Sequence, residues 1–354
     1  MRRHRFATAV LLTAGTLFAG GLATTGTAQA ADNTGPAPTG SSPTGHTFTA
    51  AQRHDTAAFW TADRMRSATP LDLKTTPDAL RQVPRAATPT TIAPTTADSV
   101  TAGSVTAGSV TARSVTAGSA TSAVGPAAFP QAGGAWTGGG AVVKTSGRVF
   151  FTFQGRTASC SGNAVTSQNA STVITAGHCV KYQGAWHTNW VFVPAYDNGN
   201  APFGQWTATK TLTTPQWEAS EDINYDVGAA VVAPLNGQTL TSVTGAQGIQ
   251  FNGGYNKAMY AFGFPAASPY DGSKLIYCAG NSSKDFLFSQ DHSLGCNMTG
   301  GSSGGPWFTS FNEATGTGLQ SSVNSFGYTF LPNRMFGPYF GTDAQNLYNK
   351  AQAS

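Results

Sequence analysis

Residues 126–354 predict an all-β fold with one helix at the C-terminus, and two observations carry that expectation. Short runs rich in Val, Ile, Phe, Trp and Thr recur at Arg148 to Phe153, Thr172 to Thr175, Trp190 to Pro194, Val227 to Val232, Met259 to Phe264, Pro306 to Ser310 and Leu319 to Phe326. Glycine, asparagine and proline separate them, so strand follows strand, the pattern of sheets closed into barrels or sandwiched face to face. The stretch is long enough for one domain with a sizeable core. The helix signal comes last. Thr342 reads as its cap, Gln345 as the partner in a capping box, and Leu347, Tyr348 and Ala351 as its apolar stripe.

The leader is of a different kind. Arg2, Arg3 and Arg5 precede an apolar run from Phe6 to about Ala23, followed by Ala28-Gln29-Ala30, which reads as a secretory signal cleaved after Ala30. Gly15, Gly20 and Gly21 interrupt the run and polar sequence follows, which argues against a permanent anchor. Residues 31–125 are mostly Thr, Ala, Ser, Pro and Gly, too poor in apolar material to offset the entropy of ordering a core. A near-repeat of Ser-Val-Thr-Ala-Gly from Ser99 to Gly118, with Arg113 in place of one glycine, is too short in period for a solenoid and reads as a spacer. One island stands out: Phe48 to Leu73 carries Phe59, Trp60, Met65, Leu71 and Leu73 among charges, and reads as a short amphipathic helix in a pro-segment that docks. The expected organisation is a signal peptide over 1–30, a largely disordered pro-segment and linker over 31–125, and one folded domain over 126–354.

Charge excludes one class of partner. The chain carries a formal +4, yet from Pro126 onward ten Lys and Arg balance ten Asp and Glu. The excess therefore belongs to the leader, and nucleic acid is not an expected partner. All four cysteines, Cys160, Cys179, Cys278 and Cys296, lie in the domain, and an even number in an exported chain favours disulfides. Of the three possible pairings, the sequential one closes two short loops and is expected. No Cys-x-x-Cys or histidine pair suggests zinc, so neither metal nor cofactor is expected.

Hydrolysis by a serine needs a hydroxyl nucleophile, a base, a carboxylate to orient the base, and donors for the oxyanion. Thr175-Ala176-Gly177-His178-Cys179 puts a histidine on the loop leaving an apolar strand. Gly300-Gly301-Ser302-Ser303-Gly304-Gly305-Pro306 supplies a glycine-flanked turn where backbone can approach a carbonyl closely. Asn224-Tyr225-Asp226-Val227-Gly228 places a carboxylate at the mouth of another strand.

At these residues the chain resembles the chymotrypsin-like serine peptidases, particularly their bacterial secreted branch, which includes the trypsin-like and glutamyl-endopeptidase-like enzymes. The likeness runs from about Arg148 to the C-terminus and rests on Thr-Ala-Gly-His-Cys, Ser-Gly-Gly-Pro and the order His, Asp, Ser. It implies two antiparallel β-barrels with the site between them, His178 as general base, Asp226 as its orienting partner, Ser303 as nucleophile, and the N–H groups of Gly301 and Ser303 as oxyanion hole. Ser302 also sits in a Gly-x-Ser-x-Gly frame, but the family's nucleophile directly precedes Gly-Gly-Pro. An α/β-hydrolase would need a histidine after the serine, and none follows Ser303. No His-Glu-x-x-His supports a metalloprotease. The alternative is a peptidase-like protein that only binds. Protein or peptide substrates, a monomer, and no membrane contact after signal removal complete the expectation.

By the same resemblance, the side chain on the acyl side of the scissile bond is read by Asn297 and by Ser325, Phe326 and Gly327. Asn297 is uncharged, which argues against a preference for Arg or Lys, and Asn324 stands where glutamate-specific relatives place a histidine. Ser325 is expected to support Asp226, and the Phe326–Gly327 backbone to pair with substrate as an added strand. Many relatives carry an aspartate before the nucleophile that receives a newly cut N-terminus; here Ser302 occupies that position. Activation by N-terminal insertion is therefore not expected. His187 and His292 read as surface or packing histidines, with an approach of His292 to a substrate pocket as the alternative.

Overall fold

The structure, a computed structural model, describes residues 42–75, 87–97 and 128–354. The signal sequence through Ala30 and the near-repeat from Ser99 to Gly118 lie outside the described residues. Ahead of the domain come β1 (Thr44–Thr47), α1 (Ala50–Phe59), α2 (Ala62–Ser67), β2 (Thr69–Pro70), β3 (Lys74–Thr75) and β4 (Thr90–Ile92). The first half of the domain holds β5 (Gln131–Ala135), α3 (Ala141–Thr145), β6 (Ser146–Phe153), β7 (Arg156–Val165), β8 (Thr172–Thr175), the hairpin β9 (Lys181–Tyr182) and β10 (Ala185–Trp186), β11 (Thr188–Pro194), β12 (Trp206–Thr213), α4 (Pro215–Ser220) and β13 (Gly228–Val232). The second holds α5 (Leu240–Thr244), β14 (Gly248–Phe251), β15 (Ala258–Gly263), β16 (Ile276–Asn281), β17 (Ser283–Lys284), β18 (His292–Gly295), β19 (Pro306–Asn312), β20 (Thr317–Val323), β21 (Gly327–Tyr328), β22 (Arg334–Gly337) and α6 (Thr342–Gln352).

Strands β6, β7, β8, β13, β12 and β11 pair antiparallel in a ring, closed because β12 bonds both β11 and β13. Its core contains Val149, Phe151, Ile174, Phe192, Leu212 and Val231. Closure removes the unpaired edges that an open sheet would present. In β6 the period of two sends Val149 and Phe151 inward and Phe150 to the opposite face, yet all three are buried. The outer face is covered by Trp60, Met65 and Ala68 from the leader, which is why this strand reads as continuously apolar. The second half is built from a seven-stranded sheet in the order β4-β14-β20-β19-β15-β16-β5 and a three-stranded sheet, β17-β18-β22. Disulfide Cys278–Cys296 ties β16 to the end of β18, and Cys160–Cys179 ties β7 to the turn after β8, in the sequential pairing.

Each strand run read from the sequence has a counterpart, offset by up to three residues at its ends. Other strands, β7, β12, β14 and β16 among them, have no such run in the sequence; β7 is largely Ser, Thr, Ala and Gly and is buried because strands flank it on both sides. Helix α6 forms with Leu347, Tyr348 and Ala351 buried, but its cap is corrected: Gly341 is the N-cap, without a side-chain bond, and Thr342 is already helical. A capping box does occur at α1, between Thr49 and Gln52.

The island from Phe48 to Leu73 is more elaborate than one helix. β1 adds antiparallel to β12 and Phe48 joins the barrel core. The helical path then breaks at Trp60, whose backbone turns extended while its ring is buried and its Nε1 donates to the Asn189 carbonyl at 2.6 Å. Thr61 caps α2, and the chain continues extended as β2 and β3. Further on, β4 adds antiparallel to β14. Within the segment read as mostly linker, residues 42–75 and 87–97 are thus anchored to the domain, because a few large apolar side chains find covering surface there.

Candidate active site

Strand β8 delivers the chain to a single 3-10 turn, Gly177–Cys179, and the disulfide at Cys179 fixes that turn to β7. Gly177 is required by space, since a Cβ there would stand 2.9 Å from Asp226 Oδ1 and 2.8 Å from the Trp217 ring. His178 is fully buried and doubly bound to Asp226: its backbone N–H donates to Oδ1 and its Nδ1 meets Oδ2, each at 2.7 Å. An ionised carboxylate only accepts, so Nδ1 carries the proton and Nε2 keeps its lone pair. Among the described residues, Nε2 has no hydrogen-bond partner. Asp226, also fully buried, accepts a further bond from Ser325 Oγ at 2.5 Å, across from the other half of the domain.

The serine turn is pressed against the histidine's strand. A Cβ on Gly304 would meet Thr175 Oγ1 at 2.1 Å, and Gly301 and Gly304 hold φ of +93° and +79°, where side chains are strained. Ser303 is buried, and its Oγ donates to the Leu71 carbonyl at 3.4 Å. The Gly301 N–H donates to the same carbonyl oxygen at 2.9 Å. Sequence reasoning missed two supports of this turn. Ser161, directly after Cys160, donates from its N–H to the Ser303 carbonyl (2.7 Å) and from Oγ to the Gly301 carbonyl (2.9 Å), and accepts from the Phe264 N–H (2.9 Å). Asn324 donates from Nδ2 to the carbonyls of Phe262 (2.8 Å) and Ser302 (3.0 Å) and accepts from Trp307 Nε1 (2.7 Å). A buried serine in β7 carries no sequence signal, because its partners lie more than a hundred residues away.

The residues expected to read substrate divide. Ser325 meets Asp226, and Gly327 pairs with Lys74 of β3. Phe326 is buried in an apolar group with Trp217, Ile223, Tyr328, Phe336 and Leu73. Asn297 faces β5: its Oδ1 accepts from Tyr270 at 2.6 Å, its N–H donates to the Ala132 carbonyl at 2.7 Å, and a Cβ on Gly133 would touch its Oδ1. Ser302 donates from Oγ to the Thr299 carbonyl at 2.7 Å.

His187 and His292 are both buried, not at the surface. His187 stacks on Phe151 with ring centres 4.2 Å apart, and its Nε2–H donates to the His178 carbonyl at 2.8 Å. Burial holds its pKa down to about 4, so it is a neutral donor. His292 lies among Tyr255, Tyr339 and Trp307 and is likewise depressed by burial to about 4. Asp291 is raised well above the usual carboxylate range, first by burial and then by Asp222, Asp285 and Asp226. Among the described residues, the grouping with metal-ligand proximity is Cys160, His178 and Cys179, and its two sulfurs are joined to each other.

No family model matches the sequence. The Extracellular metalloprotease of Bacillus subtilis (strain 168) is 34% identical over 82 residues, and the chain spans about a quarter of that relative's length (25%). Solved structures match more broadly. Protease Anisep from Arthrobacter nicotinovorans is 47% identical, over 60% of this chain and 96% of that one, with a TM-score of 0.57. The thermostable serine protease AL20 from an extremophilic microorganism is 42% identical, over 60% and 99%, also with a TM-score of 0.57. A Glu endopeptidase at 14% identity, over 64% and 99%, with a TM-score of 0.51, shares the fold. Likeness to a protease and to a serine protease, each over nearly its whole length, on the fold built above, makes this chain a member of the chymotrypsin-like serine peptidases.

Proposed function

We propose that the chain is a secreted serine endopeptidase in which His178, Asp226 and Ser303 form the catalytic triad. The observation that carries this reading is the binding of His178 by Asp226 at both the backbone N–H and Nδ1. That arrangement leaves Nε2 as the basic nitrogen of the ring. In the reaction, Nε2 takes the proton of Ser303 as Oγ attacks the substrate carbonyl carbon, and the N–H groups of Gly301 and Ser303 receive the oxyanion. Collapse expels the amine, which leaves with the proton from Nε2, and an ester joins the acyl group to Ser303. Water, deprotonated by the same nitrogen, releases the acid and restores Oγ–H. Asp226 stays ionised throughout and stabilises the imidazolium, with Ser325 holding one of its oxygens.

The amino-terminal signal and the paired cysteines support export, and protein or peptide substrates follow from the family. An uncharged Asn297, its oxygen engaged by Tyr270, speaks against a pocket built for Arg or Lys. Labelling with a fluorophosphonate tests the assignment. The processed protein should carry the adduct on Ser303, and His178→Ala should abolish it. Folded, processed protein that takes up no label would defeat the proposal.

A further inference from the structure

The substrate cleft is already occupied, by residues 69–75 of the same chain. β2 lies alongside β7, with Pro70 opposite Ser159, and the Leu71 N–H donates to the Ser159 carbonyl at 2.9 Å. The Leu71 carbonyl oxygen accepts from Gly301 N–H at 2.9 Å and from Ser303 Oγ at 3.4 Å. The Leu73 carbonyl then accepts from Gly327 N–H at 3.3 Å, and β3 continues beside β21, while the Leu73 side chain enters the apolar group of Trp217, Phe326, Tyr328 and Phe336.

The order of these contacts sets the direction of the chain. Ser325 to Gly327 serve the acyl half of a substrate, and the acyl half precedes the scissile carbonyl in sequence. Here the residues beside Gly327 come after Leu71, and those beside Ser159 come before it. Both flanking pairings are parallel. We infer that residues 42–75 are a folded inhibitor whose last turn threads the cleft in the direction opposite to substrate, with the Leu71 carbonyl in the oxyanion site. This rests on the roles proposed above for Ser303, Gly301 and Gly327.

Reversed threading makes the segment a poor substrate despite its position. The leaving nitrogen would be that of Asp72, which heads toward the acyl side of the cleft. The nucleophile donates to the Leu71 oxygen, and the basic His178 Nε2 has no hydrogen-bond partner among the described residues. Affinity comes from outside the cleft: Trp60, Met65 and Ala68 on Phe150, Val191, Val193, Tyr196 and Phe264, with the Trp60 carbonyl accepting from Gln205 Nε2 at 3.1 Å. Buried tryptophan anchors of this kind dominate binding energies. Inhibition thus needs no distorted catalytic turn, because the Gly301 N–H is already aimed at a carbonyl oxygen.

The test compares the full-length chain with the processed enzyme, measuring the rate of fluorophosphonate labelling of Ser303 and the termini of all fragments by mass spectrometry. Full-length protein should label at least tenfold more slowly than processed enzyme. Leu73→Asp and, independently, Trp60→Ala in the full chain should each recover at least tenfold of that rate, and no fragment should end at Leu71. Equal labelling of full-length and processed chains, unchanged rates in the secreted and folded Leu73→Asp chain, or a fragment ending at Leu71 overturns the proposal. Processed enzyme that fails to label instead overturns the assignment of Ser303 beneath it.

Discussion

His187→Gln isolates a single titration, because every other group is common to the two proteins and cancels in their difference. In the folded chain His187 titrates near 4, against 6.5 for an unperturbed imidazole. The unfolded chain therefore binds one more proton than the folded chain between these values, and stability falls as the pH drops through this window. Integrated from pH 7.5 to 4.5, with the unfolded imidazole half protonated at 6.5, the loss is about 2.5 kcal/mol. Glutamine has an amide that can keep the donation to the His178 carbonyl and gives up the ring stacking on Phe151, a cost of about 1 kcal/mol. The variant should thus be less stable near pH 7.5 by about 1 kcal/mol and more stable near pH 4.5 by about 1.5 kcal/mol. Urea unfolding of both proteins in a Ser303→Ala background, which prevents autolysis, measures the two gaps. A gap of constant sign and size across that range would refute the reasoning.

Three further outcomes are expected. Ser325→Ala removes one donor from the buried Asp226 carboxylate, a charge-assisted bond worth about 1.5–3 kcal/mol, so kcat should fall about ten- to a hundredfold with KM little changed in steady-state ester hydrolysis. Ser161→Ala leaves the Gly301 carbonyl and the Phe264 N–H without a buried partner, and should lower stability by about 1–3 kcal/mol in denaturant unfolding, with a drop in kcat as the Gly301 turn loosens. Asp291 has its pKa raised in the folded state, so its contribution is retained at low pH and lost as pH rises through the folded value. Asp291→Asn should therefore raise the Tm relative to the parent, with an advantage that grows from acidic to alkaline pH.

What the sequence made legible was whatever is written in neighbouring residues. His178 and Ser303 stand in dense local signatures, and the strands around them announce themselves by apolar runs. Ser161 carries no local signature because its partners lie more than a hundred residues away, while His187 and Asn324 act on the His178 carbonyl nine residues off and the Ser302 carbonyl twenty-two residues off, contacts that no motif announces. The cap of α6 was misplaced for a related reason. Thr342 has the right side chain, but Gly341 takes the capping backbone conformation and Thr342 already lies inside the helix. The leader shows the limit of composition most clearly. Averaged over residues 31–125 it looks unable to fold, yet Phe48, Trp60, Met65 and Leu73 need no core of their own when the catalytic domain lends them one.

The bond from Ser325 to Asp226 has a meaning beyond catalysis. Asp226 belongs to the barrel half and Ser325 to the other, as do Ser161 and the Gly301 carbonyl it holds. No single half contains a complete machine. A chain with its amino-terminal half folded and the rest still to come would hold no complete site, and competence would arrive only when the two halves close on each other. By then residues 42–75, translated first, would already be waiting at the seam. Proteolytic power is thus placed last in the order of assembly, behind a guard that is made before the weapon.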